Sequence, residues 1–67
     1  MNKFAERLKE LREEQNITQY ELSKKTNIST ACINRWEKGL RIPNIDSIII
    51  LCNFFGCSSD YLIGLED

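Results

Sequence analysis

The stretch from Thr18 to Gly39, TQYELSKKTNISTACINRWEKG, leaves this chain few ways to fold. Thr18 and Glu21 have the S/T-x-x-E spacing in which each side chain satisfies a free backbone N–H of the other residue. Leu22 is the first apolar residue behind that start. Asn27, a residue type that tolerates a left-handed backbone, ends the first helical segment. Ser29 caps a second segment, and Gly39 stops it. The stretch therefore predicts two short helices joined by a tight corner.

The second of these helices has two faces. At about 100° per residue, Cys32, Ile33 and Trp36 gather on one side, while Thr30, Ala31, Asn34, Arg35 and Lys38 gather on the other. The first set is a core stripe, and its phase assigns Trp36 to the core rather than to stacking on a base. The second set places small residues near the helix start, with an amide, a guanidinium and an ammonium further along. Such a helix end suits the major groove of duplex DNA. Small residues there permit close approach, and Asn and Arg pair bidentately with base edges.

With these residues, and with Arg7-Leu8, Leu11-Arg12, Thr18-Gln19, Glu21-Leu22-Ser23, Ile28-Ser29 and Arg35-Trp36-Glu37-Lys38-Gly39, the chain resembles the lambda-repressor/Cro-like, or XRE, helix-turn-helix family. Pro43, the isoleucine run, Phe55-Gly56-Cys57-Ser58 and Asp60-Tyr61-Leu62-Ile63-Gly64 extend the likeness over nearly the whole chain. The resemblance implies an all-α, compact five-helix DNA-binding domain over residues 1–67, with the helix-turn-helix at helices two and three. It also implies that Arg12 pairs with Glu37 and that Gln19, next to the capping Thr, contacts the DNA backbone. Ser23 stands where the family needs a small residue, usually Ala. Asn27 stands where the family more often has Gly.

Size and composition agree with a small binding domain. Sixty-seven residues leave limited apolar burial and little room for an enclosed cleft. The chain lacks an apolar run of about 18 residues and a long apolar leader, which predicts a cytoplasmic protein. The three cysteines lack C-x-x-C spacing and histidine companions, so they read as buried, reduced thiols, with a redox or thiol-sensing role as the alternative and no metal site or cofactor expected. No histidine is available for catalysis, and Asp60 beside Tyr61 reads as a helix-start residue beside a core aromatic; an enzyme is not expected.

The net charge of −1 is unevenly spread. Residues 1–17 balance, residues 18–43 carry +3, and residues 44–67 carry −4. Positive charge thus coincides with the two-helix motif, which predicts modest non-specific binding and discrimination through base contacts.

Taken in order, a first helix from about Lys3 to Gln15 buries Phe4, Leu8 and Leu11 and turns a mixed-charge face to water. The second helix runs from about Gln19 to Thr26; Gln19 in its first turn makes a natural phosphate site, while Lys24 and Lys25 are solvated charges. In the third helix, Thr30 and Ala31 meet thymine methyls or permit close approach, Asn34 is a candidate adenine reader and Arg35 a candidate guanine reader, with phosphate or local packing as the alternatives for Arg35. Lys38 and, in the following loop, Arg41 reach phosphates. Asn44 caps a fourth helix with an expected inner stripe of Ile45, Ile48, Ile49, Cys52 and Phe55, leaving Ile50 and Phe54 near the opposite face. A fifth helix from about Ser58 brings Tyr61, Leu62 and Leu65.

Ile50, Phe54 and Ile63 are candidates for a homodimer surface, the alternative for Phe54 being packing within one monomer. The chain stops directly after the fifth helix, so no second ligand-sensing or cleavage domain is expected, and no small-molecule ligand is evident. The function this predicts is a sequence-specific, double-stranded DNA-binding transcriptional regulator. It would be a repressor on an inverted-repeat operator. An antitoxin-like regulator acting through a protein complex is the alternative.

Overall fold

Side-chain caps divide this chain into its helices. The computed structural model describes residues 3–66, over which it forms α1 (Lys3–Glu14), α2 (Gln19–Thr26), α3 (Thr30–Glu37), α4 (Ile45–Phe55) and α5 (Ser59–Ile63). Thr18, Ser29, Asn44 and Ser58 each accept a hydrogen bond from the backbone N–H three residues on, at 3.0, 3.1, 2.8 and 3.0 Å. At Thr18 the box is complete, since its own N–H donates to Glu21 Oε1 at 2.8 Å. Left-handed residues close the other ends: Asn27 after α2 (φ 61°), and Gly56 and Gly64 after α4 and α5. At Gly64, φ is 92° and an added Cβ would run into the Lys3 side chain, so a side chain here is opposed by both strain and space.

Each helix contributes to one core. Phe4 and Leu8 of α1, Leu22 of α2, Ile33 and Trp36 of α3, Leu51 of α4 and Leu62 of α5 are all buried. Phe4 meets Trp36 edge-on, with ring centroids 5.9 Å apart. Helix α1 packs on α3 and α5, and α2 packs on α3. The α1 face turned inward also carries Arg7, which is 8% exposed. Its guanidinium lies 4.2 Å from the Tyr61 ring centroid and donates to the carbonyls of Tyr61 and Glu66. One cation therefore bridges a carbonyl within α5 and one just beyond it, and ties that short helix to α1.

Helix α4 departs from its expected phase. Ile45 and Ile49, placed in the inner stripe by the sequence, are 74% and 53% exposed. Leu51 is fully buried instead, flanked by the half-buried Ile48, Cys52 and Phe55. Phe54, expected on the outer face, is half-buried and meets Phe55 edge-on at 5.0 Å. The physical reason is composition. Eight of the eleven residues of α4 are apolar, so the helix has no polar face from which its phase can be read. In α5, Leu62 is buried, Tyr61 is half-buried, and Leu65, just beyond the helix, is exposed.

Candidate nucleic-acid interface

Local folding sets α3 with one side in the core and the other in solvent. Ile33 and Trp36 are buried, whereas Thr30, Ala31, Arg35 and Lys38 are exposed and Asn34 is half-buried. The exposed side begins at the helix N-terminus, where Ser29 occupies one free backbone N–H. The C-terminal end is drawn tight by Gly39 at φ 74°, with the Leu40 N–H bonded to the Arg35 carbonyl at 2.9 Å.

Behind this surface lies a chain of polar contacts that links α1, α2 and α3. Arg12 donates through Nε to Glu37 Oε2 at 2.7 Å and through Nη2 to Glu37 Oε1 at 3.0 Å. Its third nitrogen, Nη1, donates to the Ile17 carbonyl at 2.9 Å. Glu37 Oε1 also accepts from Gln19 Nε2 at 3.1 Å, and Gln19 Oε1 in turn accepts from Asn34 Nδ2 at 3.3 Å. The side chains of Arg12 and Glu37 are only 13% and 5% exposed. The hydrogen bonds to Glu37 hold the Arg12 guanidinium above its ordinary value, with burial working in the opposite direction. A bidentate, largely desolvated pair of this kind fixes geometry as well as charge.

The consequence falls on Gln19 and Asn34. Gln19 has both its amide nitrogen and its oxygen tied into the network, and Asn34 has its nitrogen tied, which defines their orientation before any ligand arrives. Asn34 retains its carbonyl oxygen and one N–H for an outside partner, and Gln19 retains one N–H. The two residues assigned on sequence to a base and to a phosphate therefore sit side by side, as one unit.

Arg35 and Arg41 are brought together differently. They line a shallow cleft of about 280 Å³ with Cys32, Trp36, Ile42, Pro43, Asn44 and Ser47, a lining with no carboxylate. Two guanidiniums beside such a cleft favour an anionic ligand. On the other flank, Tyr20 is 60% exposed and its ring carries the Lys24 ammonium at 5.4 Å. Tyr20, the position after Gln19, was not singled out on sequence, and Lys24, one turn beyond Tyr20, was read there only as a solvated charge. The available signal was a large aromatic with a polar tip in a basic, otherwise polar helix face.

The family model described as Helix-turn-helix, HTH_3, matches residues 8–62. Among curated proteins, an HTH-type transcriptional regulator, ImmR of Bacillus subtilis (strain 168), is 36% identical over 96% of this chain and 50% of its own length. An HTH-type transcriptional activator, BcrR of Enterococcus faecalis, is 34% identical over 96% of this chain and 31% of its own. The chain thus spans half or less of these two relatives. Among solved structures, the P22 c2 repressor in complex with a synthetic operator superposes with a TM-score of 0.88 at 29% identity, covering 98% of this chain and 100% of that one.

Proposed function

The chain belongs to the XRE-type helix-turn-helix family, and from that premise we propose that it is a sequence-specific, double-stranded DNA-binding transcriptional regulator. The observation that carries this reading is the Arg12–Glu37–Gln19–Asn34 chain, which orients two neighbouring amides, Gln19 at the start of α2 and Asn34 on α3. Thr30, Ala31, Asn34 and Arg35 read base edges, and Gln19, Lys38 and Arg41 hold phosphates. The cleft shared with Arg41 also supports a phosphate contact for Arg35. The P22 c2 repressor, which has the same fold, is seen on an operator, and that supports the DNA reading.

The finer proposal is a cytoplasmic repressor acting as a homodimer on an inverted repeat. Its support is an exposed apolar face, Ile42, Ile45 and Ile49, beside a groove of about 630 Å³ lined in part by Phe4, Pro43, Ile48 and Ile63. Ile50 is 40% exposed, Phe54 is packed against the core, and Ile63, at 42% exposure, lines this groove. Self-association through it would set two α3 helices about one DNA turn apart. The same face favours a second reading, a regulator that captures another protein. Equilibrium binding to a duplex, against the same sequence single-stranded and a shuffled duplex, tests the first reading. Preference for one duplex supports it; equal, salt-sensitive binding to all three contradicts it. A solution mass of two chains favours the homodimer, and one chain favours the second reading.

A further inference from the structure

The C-terminus of α4 is closed by a turn in which two cysteines hold the paired positions. Gly56, at φ 70°, is the left-handed residue; its N–H bonds to the Cys52 carbonyl at 2.8 Å, and the Cys57 N–H bonds to the same carbonyl at 3.2 Å. In this motif the residues three before and two after the helix end bring their side chains into contact, usually as an apolar pair. Here both are cysteines, free, half-buried and packed on the edge of the core. The bond from Cys57 N–H to Cys52 C=O sets the two residues side by side, with the Cys57 thiol within hydrogen-bonding reach of the Cys52 thiol; disulfides close over Cα separations of roughly 4.4–6.8 Å.

We propose that Cys52 and Cys57 form an oxidative modification site, in which a hydroperoxide converts the pair to an intramolecular disulfide at the α4–α5 corner. Burial first, and then the neighbouring Cys57 thiol, push Cys52 up to about 11, so Cys52 stays protonated at neutral pH and takes the resolving role, with the first attack falling to Cys57. Cys57 Sγ attacks the peroxide oxygen, the O–O bond breaks, and an alcohol (or water, from hydrogen peroxide) leaves with the Cys57 proton. The Cys52 sulfur then attacks the resulting sulfenic acid. An S–S bond forms, the S–O bond breaks, and water departs with the Cys52 proton. Two thiols are oxidised and one peroxide is reduced. This assignment is independent of the DNA-binding reading.

The test uses the full chain, reduced, treated with stoichiometric hydrogen peroxide, alkylated and digested with trypsin. No Lys or Arg follows Arg41, so both cysteines remain in the peptide 42–67, while Cys32 separates in the peptide 26–35. The expected product is peptide 42–67 lighter by two hydrogens and carrying no alkyl group. Cys52→Ala should leave Cys57 as a sulfenic acid that a dimedone probe traps, whereas the wild-type chain shows at least about tenfold less of that adduct. A peptide 42–67 that takes two alkyl groups after peroxide overturns the proposal. So does a bridge from either residue to Cys32 or to a second chain.

Discussion

The Arg12 guanidinium holds the Glu37 carboxylate through two hydrogen bonds, at 2.7 and 3.0 Å, across 25 positions of sequence. The pair joins the C-terminal end of α1 to the last residue of α3. It also supplies the acceptor on which Gln19, and through it Asn34, is oriented. A single ion pair therefore contributes to the fold and aligns the proposed reading surface.

Glu37→Gln tests that dual role. The substitution keeps shape but leaves the Arg12 charge largely buried and unpaired, at an expected cost of about 2–3 kcal/mol. Urea unfolding measures the loss, and the double variant with Arg12→Met should recover part of it. An unchanged midpoint for Glu37→Gln would mean the pair contributes nothing.

Arg35→Ala separates base from phosphate. If Arg35 reads a guanine, binding to the preferred duplex weakens by about 1–3 kcal/mol and preference relaxes at one base pair. Competition with single-base variants of the duplex provides the measurement. Equal weakening on every sequence would assign Arg35, with Arg41, to the backbone.

The phase of α4 makes a paired prediction. Leu51→Ala should cost about 2–5 kcal/mol because the side chain is fully buried. Ile45→Ala, at a 74% exposed position, should stay within about 0.5 kcal/mol in the monomer. Chemical denaturation of the two variants at low protein concentration distinguishes the observed phase from the one expected on sequence.

The left-handed corner at Asn27, φ 61°, predicts opposite outcomes for two small residues. Asn27→Gly should match or exceed the parent, and Asn27→Ala should lose about 1 kcal/mol. Thermal melts of the pair check the sign.

Cys52 adds a pH dependence. The folded chain holds this proton more tightly than the unfolded chain, with a value of about 11 against an ordinary 9.0. The stability it contributes is complete below about pH 9 and is lost as pH rises through about 11. Unfolding free energy measured across that window should fall more steeply for the parent than for Cys52→Ser. Parallel slopes would contradict the assignment.

What the sequence disclosed followed from local chemistry. Thr18, Ser29, Asn44 and Ser58 are capping residues by type and spacing, and Asn27 and Gly39 carry the backbone freedom their corners need, so the helix ends were legible. The faces of α3 were legible because polar and apolar residues alternate with the helical period. Helix α4 was not, because isoleucines surround it and only the packing of the other helices selects Leu51 over Ile49. The role of Arg7 was hidden for a different reason: its hydrogen-bond partners are the backbone carbonyls of Tyr61 and Glu66, which any residue type would supply, and only the Tyr61 ring beneath it is specific. No periodicity joins Arg12 to Glu37, and that expectation came from the family resemblance alone. The link from Gln19 to Asn34 came from neither.

The central claim is that the exposed side of α3 reads duplex sequence. Selection of bound duplexes from a random pool at near-physiological salt tests it most directly. The account predicts enrichment of an inverted repeat with half-site centres about ten base pairs apart. It further predicts that the same selection with Asn34→Ala loses information at one position in each half-site. A pool that stays random through successive rounds, with only weak salt-sensitive retention, would contradict it.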